Sequence, residues 1–256
     1  DDKAGVAEIM AMAEVLLGNP SYKHGRIAIA FTPDEEIGEG TAFFDLDQFG
    51  ADVAYTVDGG ALGELEYETF NAAAATVTVK GVTVHPGEAK GKMVNAAAIA
   101  AEFHCALPAD QVPEKTEGRE GFFYLCEMKG ETEAATLQYI IRDHDRGLFE
   151  EKKQLMRDLE ARFNERYGAG VVTVTLKDQY YNMREKIDPD YLYLVDRAEA
   201  AMRELDITPR IQPIRGGTDG ASLSFQGLPC PNLCAGGHNF HGRYEYVPVE
   251  SMEKIV

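Results

Sequence analysis

Apolar residues fall into helix-like and strand-like runs in turn along the first 60 residues of the chain. Residues 4–17, AGVAEIMAMAEVLL, are apolar nearly all round and stop at Gly-Asn-Pro, which predicts a largely buried helix. Residues 26–31, RIAIAF, and 53–57, VAYTV, are short uninterrupted apolar runs, typical of strands in a parallel sheet that is covered on both faces. This part of the chain therefore predicts an α/β domain.

The pattern changes at about residue 70, where polar and apolar residues begin to alternate. The elements that follow are a strand, a helix, two strands, a charged helix and a strand, at residues 76–84, 95–107, 122–130, 135–143, 148–168 and 171–178. The order β-α-β-β-α-β is typical of a ferredoxin-like unit. A helix at about 189–205 and a Gly-rich turn, RGGTDG, then restore the α/β character. We predict an α/β domain with a mostly parallel sheet, built from residues 1–69 and 183–256, into which a ferredoxin-like α+β domain of residues 70–182 is inserted.

The acidic composition argues against one class of partner and favours another. The net charge is -18 and the pI is near 4.7, whereas a nucleic-acid-binding surface must be basic to replace the counterions of the phosphates. An acidic chain fits a protein that concentrates cations, although solubility alone also explains the charge. No apolar run is long enough to span a membrane and no signal-peptide pattern opens the chain. Four cysteines without a CxxC pair favour free, buried thiols in a cytoplasmic protein.

Acidic side chains follow both predicted strands of the α/β domain. Asp34, Glu35 and Glu36 come directly after the first strand, and Asp58 comes after the second. In open α/β sheets the ligand site lies beyond the carboxyl ends of the strands, so we expect these acids at one edge of the sheet. Carboxylates gathered there repel each other unless a cation lies between them. The alternative for Asp34, Glu35 and Glu36 is a solvated acidic loop. The alternative for Asp58 is an ordinary turn aspartate before two glycines.

Histidines and arginines supply further candidates. His238 and His241 lie in the Gly-rich loop GGHNFHG, which favours a metal ligand modestly over two surface residues. His85, in TVHPG, ends the first strand of the inserted domain and is by itself an ordinary strand-end histidine. Arg142 and Arg215 are either surface cations or clamps for a carboxylate, which a guanidinium binds with two hydrogen bonds.

Three aspartates are explained by helix capping. Asp1 and Asp2 precede the first predicted helix, and Asp219 lies where a short helix should begin. A carboxylate at such a position accepts hydrogen bonds from the free backbone N–H groups of the first turn. Nothing in the local pattern assigns these three residues a second role.

Taken together, the motifs resemble one family. DDKAG, TPDEEIG, TVDGG, VHPG, IIRD, YYNMRE, RGGTDG, CPNL and FHG occur in the order and spacing of the peptidase T family of aminotripeptidases, a branch of the co-catalytic dizinc peptidases. The resemblance runs over essentially the whole chain, and the joint pattern is far more specific than any single motif. It implies an α/β catalytic domain that carries two zinc ions, with the inserted domain as a lid over a small peptide substrate. A cytoplasmic peptidase and a homodimer are further expectations.

The resemblance also implies a role for each matching residue. Asp1 would bridge both zinc ions, Glu36 and His241 would bind one ion, and Asp58 would bind the other. Glu35 would be the general base, and His85 on the lid would stabilise the oxyanion. Arg142 and Arg215 would hold the backbone or the terminal carboxylate of the substrate, while His238 has no matching role. Carboxylate and imidazole ligands suit zinc, and a glutamate can move a proton from the attacking water to the leaving amine.

One departure from the family pattern changes the expected activity. The family supplies another zinc ligand, a histidine in an H-x-D motif, from a segment upstream of DDKAG, and the 256 residues contain no such segment. The chain also opens without Met and closes on SMEKIV, a helix that is only beginning, so we expect a fragment. We expect this chain alone to be inactive or nearly so, and to bind at most one metal ion tightly.

Two other functions fit the same motifs. One is a deacylase or dipeptidase of the same fold, since pocket depth decides substrate length; a deacylase would accept a substrate blocked at its amino end, which an aminopeptidase refuses. A metal-free binding or assembly module would keep the fold without chemistry. That hypothesis predicts that Glu35→Ala leaves the function of the full-length protein intact.

Overall fold

The computed structural model describes residues 2–256, and the chain divides into two compact units. Unit 1 comprises the residues up to Thr69 together with Asn182–Val256, and unit 2 is Phe70–Tyr181. In chain order, the helices are α1 (Lys3–Gly18), α2 (Leu46–Phe49), α3 (Ala96–Cys105), α4 (Arg146–Tyr167), α5 (Arg184–Ile187), α6 (Leu192–Glu204), α7 (Asp219–Gln226) and α8 (Val249–Ile255). The strands are β1 (Thr56–Gly59), β2 (Glu64–Glu68), β3 (Asn71–Lys80), β4 (Phe122–Gly130), β5 (Ala134–Asp143), β6 (Val172–Tyr180), β7 (Arg210–Pro213) and β8 (Asn232–Cys234).

Unit 1 is built on a mixed four-stranded sheet in the order β1-β8-β2-β7. The pairs β1/β8 and β2/β7 are parallel, and only β8/β2 is antiparallel, as predicted for a mostly parallel sheet. The amphipathic helix α6 packs its apolar face on β2, where Val195 and Met202 join the buried Leu65. The register of β1 against β8 shifts between Val57 and Gly59, so an irregularity lies at Asp58.

Unit 2 has the predicted order β-α-β-β-α-β. Its four strands form an antiparallel sheet in the order β4-β5-β3-β6. Along β5 every second residue is buried, which is the period expected of a strand with one covered face. The helices α3 and α4 both contact this sheet, and α4 contributes Phe149, Met156 and Phe163 to the shared core. The α/β fold class with an inserted ferredoxin-like domain is confirmed.

The predicted strand at residues 26–31 is not formed. The segment pairs with no strand among the described residues, and Ile27, Ile29 and Phe31 are each 40% exposed or more. An apolar run marks a strand only where a neighbouring strand accepts its backbone hydrogen bonds, and the described residues provide none here. The second predicted strand, at 53–57, forms only from Thr56 onward.

The prediction of a largely buried first helix is wrong. Only Gly5 and Glu8 of α1 are buried, whereas Met10 is 54% and Leu17 is 87% exposed. Among the described residues α1 contacts chiefly α8 and β1, which cover one side of it. The expectation of buried thiols fails for half of the cysteines, because Cys105 and Cys126 are exposed while Cys230 and Cys234 are buried. No helix within residues 2–256 combines the length and the apolar character needed to cross a bilayer.

Candidate active site

The acidic loop, defined as residues 32–40, carries Glu35 and Glu36 on one turn of 3-10 helix, Glu35–Ile37. Asp34 precedes this turn with φ 63° and Gly38 follows it with φ 75°, both in the left-handed region. In an extended loop, neighbouring side chains would point in opposite directions. Successive residues of a 3-10 helix are about 120° apart, so the two carboxylates still diverge and can serve different partners.

Glu36 contacts His241, the only one of the predicted ligands that comes from the end of the chain. Glu36 Oε1 lies 3.2 Å from His241 Nε2, although the two residues are 205 positions apart in the sequence. The backbone of His241 has φ 60°, a conformation that costs a non-glycine residue energy and that recurs at functional sites. The N–H of His241 donates to Glu245 Oε2 at 3.0 Å, which helps to hold this conformation.

Asp58 lies in an environment that disfavours its charge. Burial, together with the negative charges of Glu35 and Asp2, raises the pKa of Asp58 to about 7. The neighbouring charges show that the acids of β1, of the acidic loop and of the start of α1 share one region of unit 1. A cation in that region would relieve the repulsion.

Glu35 has a raised pKa for the same reasons. Burial is the largest cause, followed by the negative charges of Asp219 and Glu36, while His241 and the backbone N–H of Asp219 act in the opposite direction. A carboxyl group with a raised pKa is a better proton acceptor than an ordinary glutamate, and such groups are common in active sites.

The start of α1 is only partly within the described residues. Asp2 is the N-cap of α1, and its carboxylate accepts from the N–H of Gly5 at 3.0 and 3.1 Å, as the capping hypothesis predicts. Burial raises the pKa of Asp2. The bridging role implied for Asp1 concerns a residue that lies outside the described part of the chain.

Two candidates belong to unit 2. His85 is exposed, and its Nδ1 accepts a hydrogen bond from the N–H of Gly87 at 3.2 Å, so the proton of the neutral ring lies on Nε2. Arg142 on β5 donates from Nη1 to the backbone oxygen of Ile141 and to Gln179 Oε1, both at 3.1 Å. Its guanidinium lies 5.3 Å from the ring centre of Tyr180, and burial lowers its pKa.

The remaining candidates belong to unit 1. Arg215 is partly buried in the loop between β7 and α7. His238 forms a β-bridge with Tyr246 and stacks on its ring at 5.0 Å between ring centres, which is a structural environment. His238, for which the resemblance implies no role, thus packs against Tyr246.

The described residues do not assemble a complete metal site. Within residues 2–256 no three side chains of His, Cys, Asp or Glu lie where they could hold a metal ion together. The pair of Glu36 and His241 is in contact, and Asp58 is coupled to the other acids by charge. The donor set of carboxylates and one imidazole suits zinc.

Asp219 is the residue of this region whose place sequence reasoning misjudged. It was interpreted as a helix N-cap, but it is the first residue of α7, and the hydroxyl of Thr218 caps the helix by accepting from the N–H of Ala221. The carboxylate of Asp219 is 7% exposed and accepts from the hydroxyl of Thr32 at 2.6 Å. The Thr-Asp pair is a usable signal, because only one of two adjacent capping residues can occupy the N-cap position and the other side chain can then make another contact.

Comparison with solved structures identifies the class of fold. The chain matches aminopeptidase PepT from Bacillus cereus with a TM-score of 0.86 and 24% sequence identity, over 100% of this chain and 68% of that one. It matches a dinuclear metal-binding peptidase of the M20 family from Bacillus subtilis with a TM-score of 0.71 and 14% identity, over 98% of this chain and 68% of that one. The chain therefore has the fold of these peptidases.

The sequence comparison is more specific. The chain is 58% identical over 256 residues to peptidase T of Clostridium perfringens (strain ATCC 13124), covering 100% of this chain and 63% of that protein. It is 58% identical over 254 residues to peptidase T of Clostridium botulinum (strain Loch Maree / Type A3), covering 99% of this chain and 62% of the relative. Residues 67–171 match the peptidase dimerisation domain. The predicted resemblance is confirmed, and the chain spans somewhat less than two thirds of the length of these relatives.

Proposed function

We propose that this chain is the larger part of a zinc-dependent aminopeptidase that releases the N-terminal residue from tripeptides. The observation that carries the proposal is the contact between Glu36 and His241, next to a Glu35 whose pKa is raised. The 58% identity to peptidase T supports the substrate class. We further propose a homodimer, in line with the match to the dimerisation domain.

The metal would be held by side chains whose chemistry suits it. Glu36 and His241 would bind one ion, Asp58 would bind the other, and Asp1 is proposed as the bridge from the resemblance alone. Zinc bound there would supply a Lewis acid that polarises the scissile carbonyl. The 256-residue chain by itself is proposed to bind at most one ion tightly and to be inactive or nearly so.

The remaining roles fall to side chains that need no metal contact. Glu35 would accept a proton from the attacking water and deliver it to the leaving amine, which suits a carboxyl group with a raised pKa. His85, with the proton on Nε2, would donate a hydrogen bond to the oxyanion. Arg142 and Arg215 would bind the substrate carboxylate or backbone; these roles of His85 and the arginines rest on the resemblance.

The test is hydrolysis by the full-length protein and its Glu35→Gln variant. We expect the wild type to cleave tripeptides with a free amino end and to refuse peptides that are blocked there. Glu35→Gln should lower kcat by roughly 10²- to 10⁴-fold, because proton transfer to a positioned base contributes about that much, while bound zinc stays the same. Unchanged hydrolysis by the variant would disprove the base, and cleavage of blocked substrates would favour a deacylase.

A further inference from the structure

The carboxylate of Asp219 contacts both ends of the acidic loop. At the start of the loop, Thr32 donates its hydroxyl hydrogen to Asp219 Oδ2 at 2.6 Å. At the end of the loop, Gly40 approaches so closely that a Cβ on it would lie 2.3 Å from Asp219 Oδ2 and 2.6 Å from Oδ1. A single buried carboxylate thus occupies the space between the two ends of the segment that carries Glu35 and Glu36.

Asp219 also contacts the middle of the loop. Its backbone N–H faces the carboxylate of Glu35 and acts to lower the pKa of that group. Among the described residues, the contact of Glu36 with His241 is a second non-local support of the loop, whereas Ile37 at its tip is 70% exposed and backbone hydrogen bonds such as Gly38 N–H to Glu35 O at 2.7 Å are local. Local bonds shape the turn but do not fix its position on the unit.

Asp219 is itself held in place by the packing and hydrogen bonds of its helix. Asp219 begins the helix α7, which is capped by Thr218 and has Ala221 and Leu223 buried. Ser224 on the same helix donates to the oxygen of Gly220 at 2.7 Å and accepts from the N–H of Cys230 at 3.1 Å. Asp219 is therefore held on a rigid element, as an effective positioning residue must be.

We propose that Asp219 is a positioning residue that clamps the acidic loop through Thr32 and Gly40 and so fixes the carboxylate of Glu35 for proton transfer. The effect on catalysis rests on the proposed function, but the contacts of Asp219 with the acidic loop exist in unit 1 whether or not it is an enzyme. Misplacing a catalytic group by about 1 Å can cost on the order of 10²-fold in rate, so the clamp would act on kcat.

The first experiment compares Asp219→Ala with Asp219→Asn in the full-length protein. Asp219→Ala should lower kcat roughly 10- to 100-fold and change KM less than about threefold, because substrate binding does not depend on the loop position to the same degree. Asp219→Asn keeps the volume and an acceptor oxygen for Thr32, and should recover most of kcat. Asp45→Ala, which removes the N-cap of α2 in the same unit, is the matched control and should leave kcat unchanged.

Hydrogen exchange of the acidic loop tests the clamp without an activity assay. In Asp219→Ala the amides of residues 32–40 should exchange roughly tenfold faster than in the wild type, and in Asp219→Asn they should exchange at nearly the wild-type rate. Equal exchange in all three proteins would overturn the clamp. If the wild type cleaves no peptide but the exchange result holds, only the proposed function fails.

Gly40→Ala provides an independent test from the other side of the contact. The added Cβ would displace the Asp219 carboxylate, so Gly40→Ala should speed the exchange of the loop as Asp219→Ala does, and the double variant should be no worse than either single one. Gly25→Ala is the control, because a Cβ on Gly25 meets no atom within 4 Å and its backbone is not in the left-handed region. Additive effects of Gly40→Ala and Asp219→Ala would contradict a shared contact.

Discussion

At the scale of single residues, Glu8 shows how burial turns a carboxylate into a pH-sensitive group. The residue is 2% exposed in α1, and neither carboxylate oxygen has a hydrogen-bond partner among the described residues. Burial, with a smaller contribution from the charge of Asp2, raises the pKa of Glu8 from 4.5 to about 7. Glu8 is therefore a protonated acid in the folded chain at mildly acidic pH.

The raised pKa of Glu8 predicts a pH-dependent stability. Because the folded pKa lies above the unfolded one, the stabilisation is fully present below about pH 4.5 and is lost as the pH rises through about 7. Glu8→Gln should remove roughly 3 kcal/mol from the change in unfolding free energy between pH 4.5 and 8, measured by urea denaturation in EDTA. Glu14→Gln, at an exposed position of the same helix, should leave that change as it is in the wild type. An identical pH profile for Glu8→Gln and the wild type would contradict the prediction.

The candidate site could be predicted only in part at this scale. Strand-end acids and a Gly-rich loop with histidine pointed to Glu36 and His241, and these two side chains are in contact. The link between Thr32 and Asp219 spans 187 residues and has no local pattern, so only the fold reveals it. Glu8 lies in a run that looked uniformly apolar, and its burial depends on what α8 and β1 cover.

At the scale of elements, unit 2 was the more predictable part because its signals are local. The amphipathic pattern of α4 and the alternation along β5 each indicate which side of the element is buried. The elements that cover these buried sides lie within the same stretch of about 110 consecutive residues. The segment 26–31 shows the opposite case. Its apolar run is equally clear, but a strand also needs a neighbouring strand that accepts its backbone hydrogen bonds. The hydrophobic pattern of one segment does not show whether such a neighbour exists.

The helix α4 is tied to β5 by a buried ion pair that the apolar pattern does not show. Lys152 Nζ lies 2.9 Å from Asp143 Oδ2, with the two side chains 10% and 2% exposed. Lys152→Met should lower the unfolding free energy of unit 2 by about 3–5 kcal/mol, because it leaves a buried carboxylate without its cation. Hydrogen exchange of β5 amides measures the loss within unit 2.

The control for the ion pair is an exposed one in the same unit. Lys129 Nζ lies 2.6 Å from Glu127 Oε1, but the side chains are 75% and 49% exposed. Lys129→Met should cost between about 0 and 1 kcal/mol, since water screens the charge that remains. Equal effects of the two substitutions would show that burial does not set the strength of the Lys152 pair.

At the scale of the whole molecule, the net charge of -18 includes a group of partly buried carboxyl groups in unit 1. Asp2, Glu35, Asp58 and Asp219 all belong to unit 1, and the pKa of each is raised, chiefly by burial. The charged form of each of these four carboxyl groups is therefore disfavoured. A divalent cation would offset both the burial and the repulsion, and it would act on unit 1 alone.

Zinc should therefore stabilise one unit of the chain selectively. In the 256-residue chain, free zinc at 100-fold over its Kd should stabilise unit 1 by about 2.7 kcal/mol, with a stoichiometry of no more than one ion per chain by titration calorimetry. Hydrogen exchange should slow at residues 32–40, 56–59 and 238–245, while β3 and β5 exchange as they do in EDTA. The affinity for an ion on Glu36 and His241 should rise with pH through about 7, because Asp58 in the same region then loses its proton and its negative charge attracts the ion. Glu36→Gln should weaken the effect, and a slowing that is equal in both units would mean that zinc binds the acidic surface without a site.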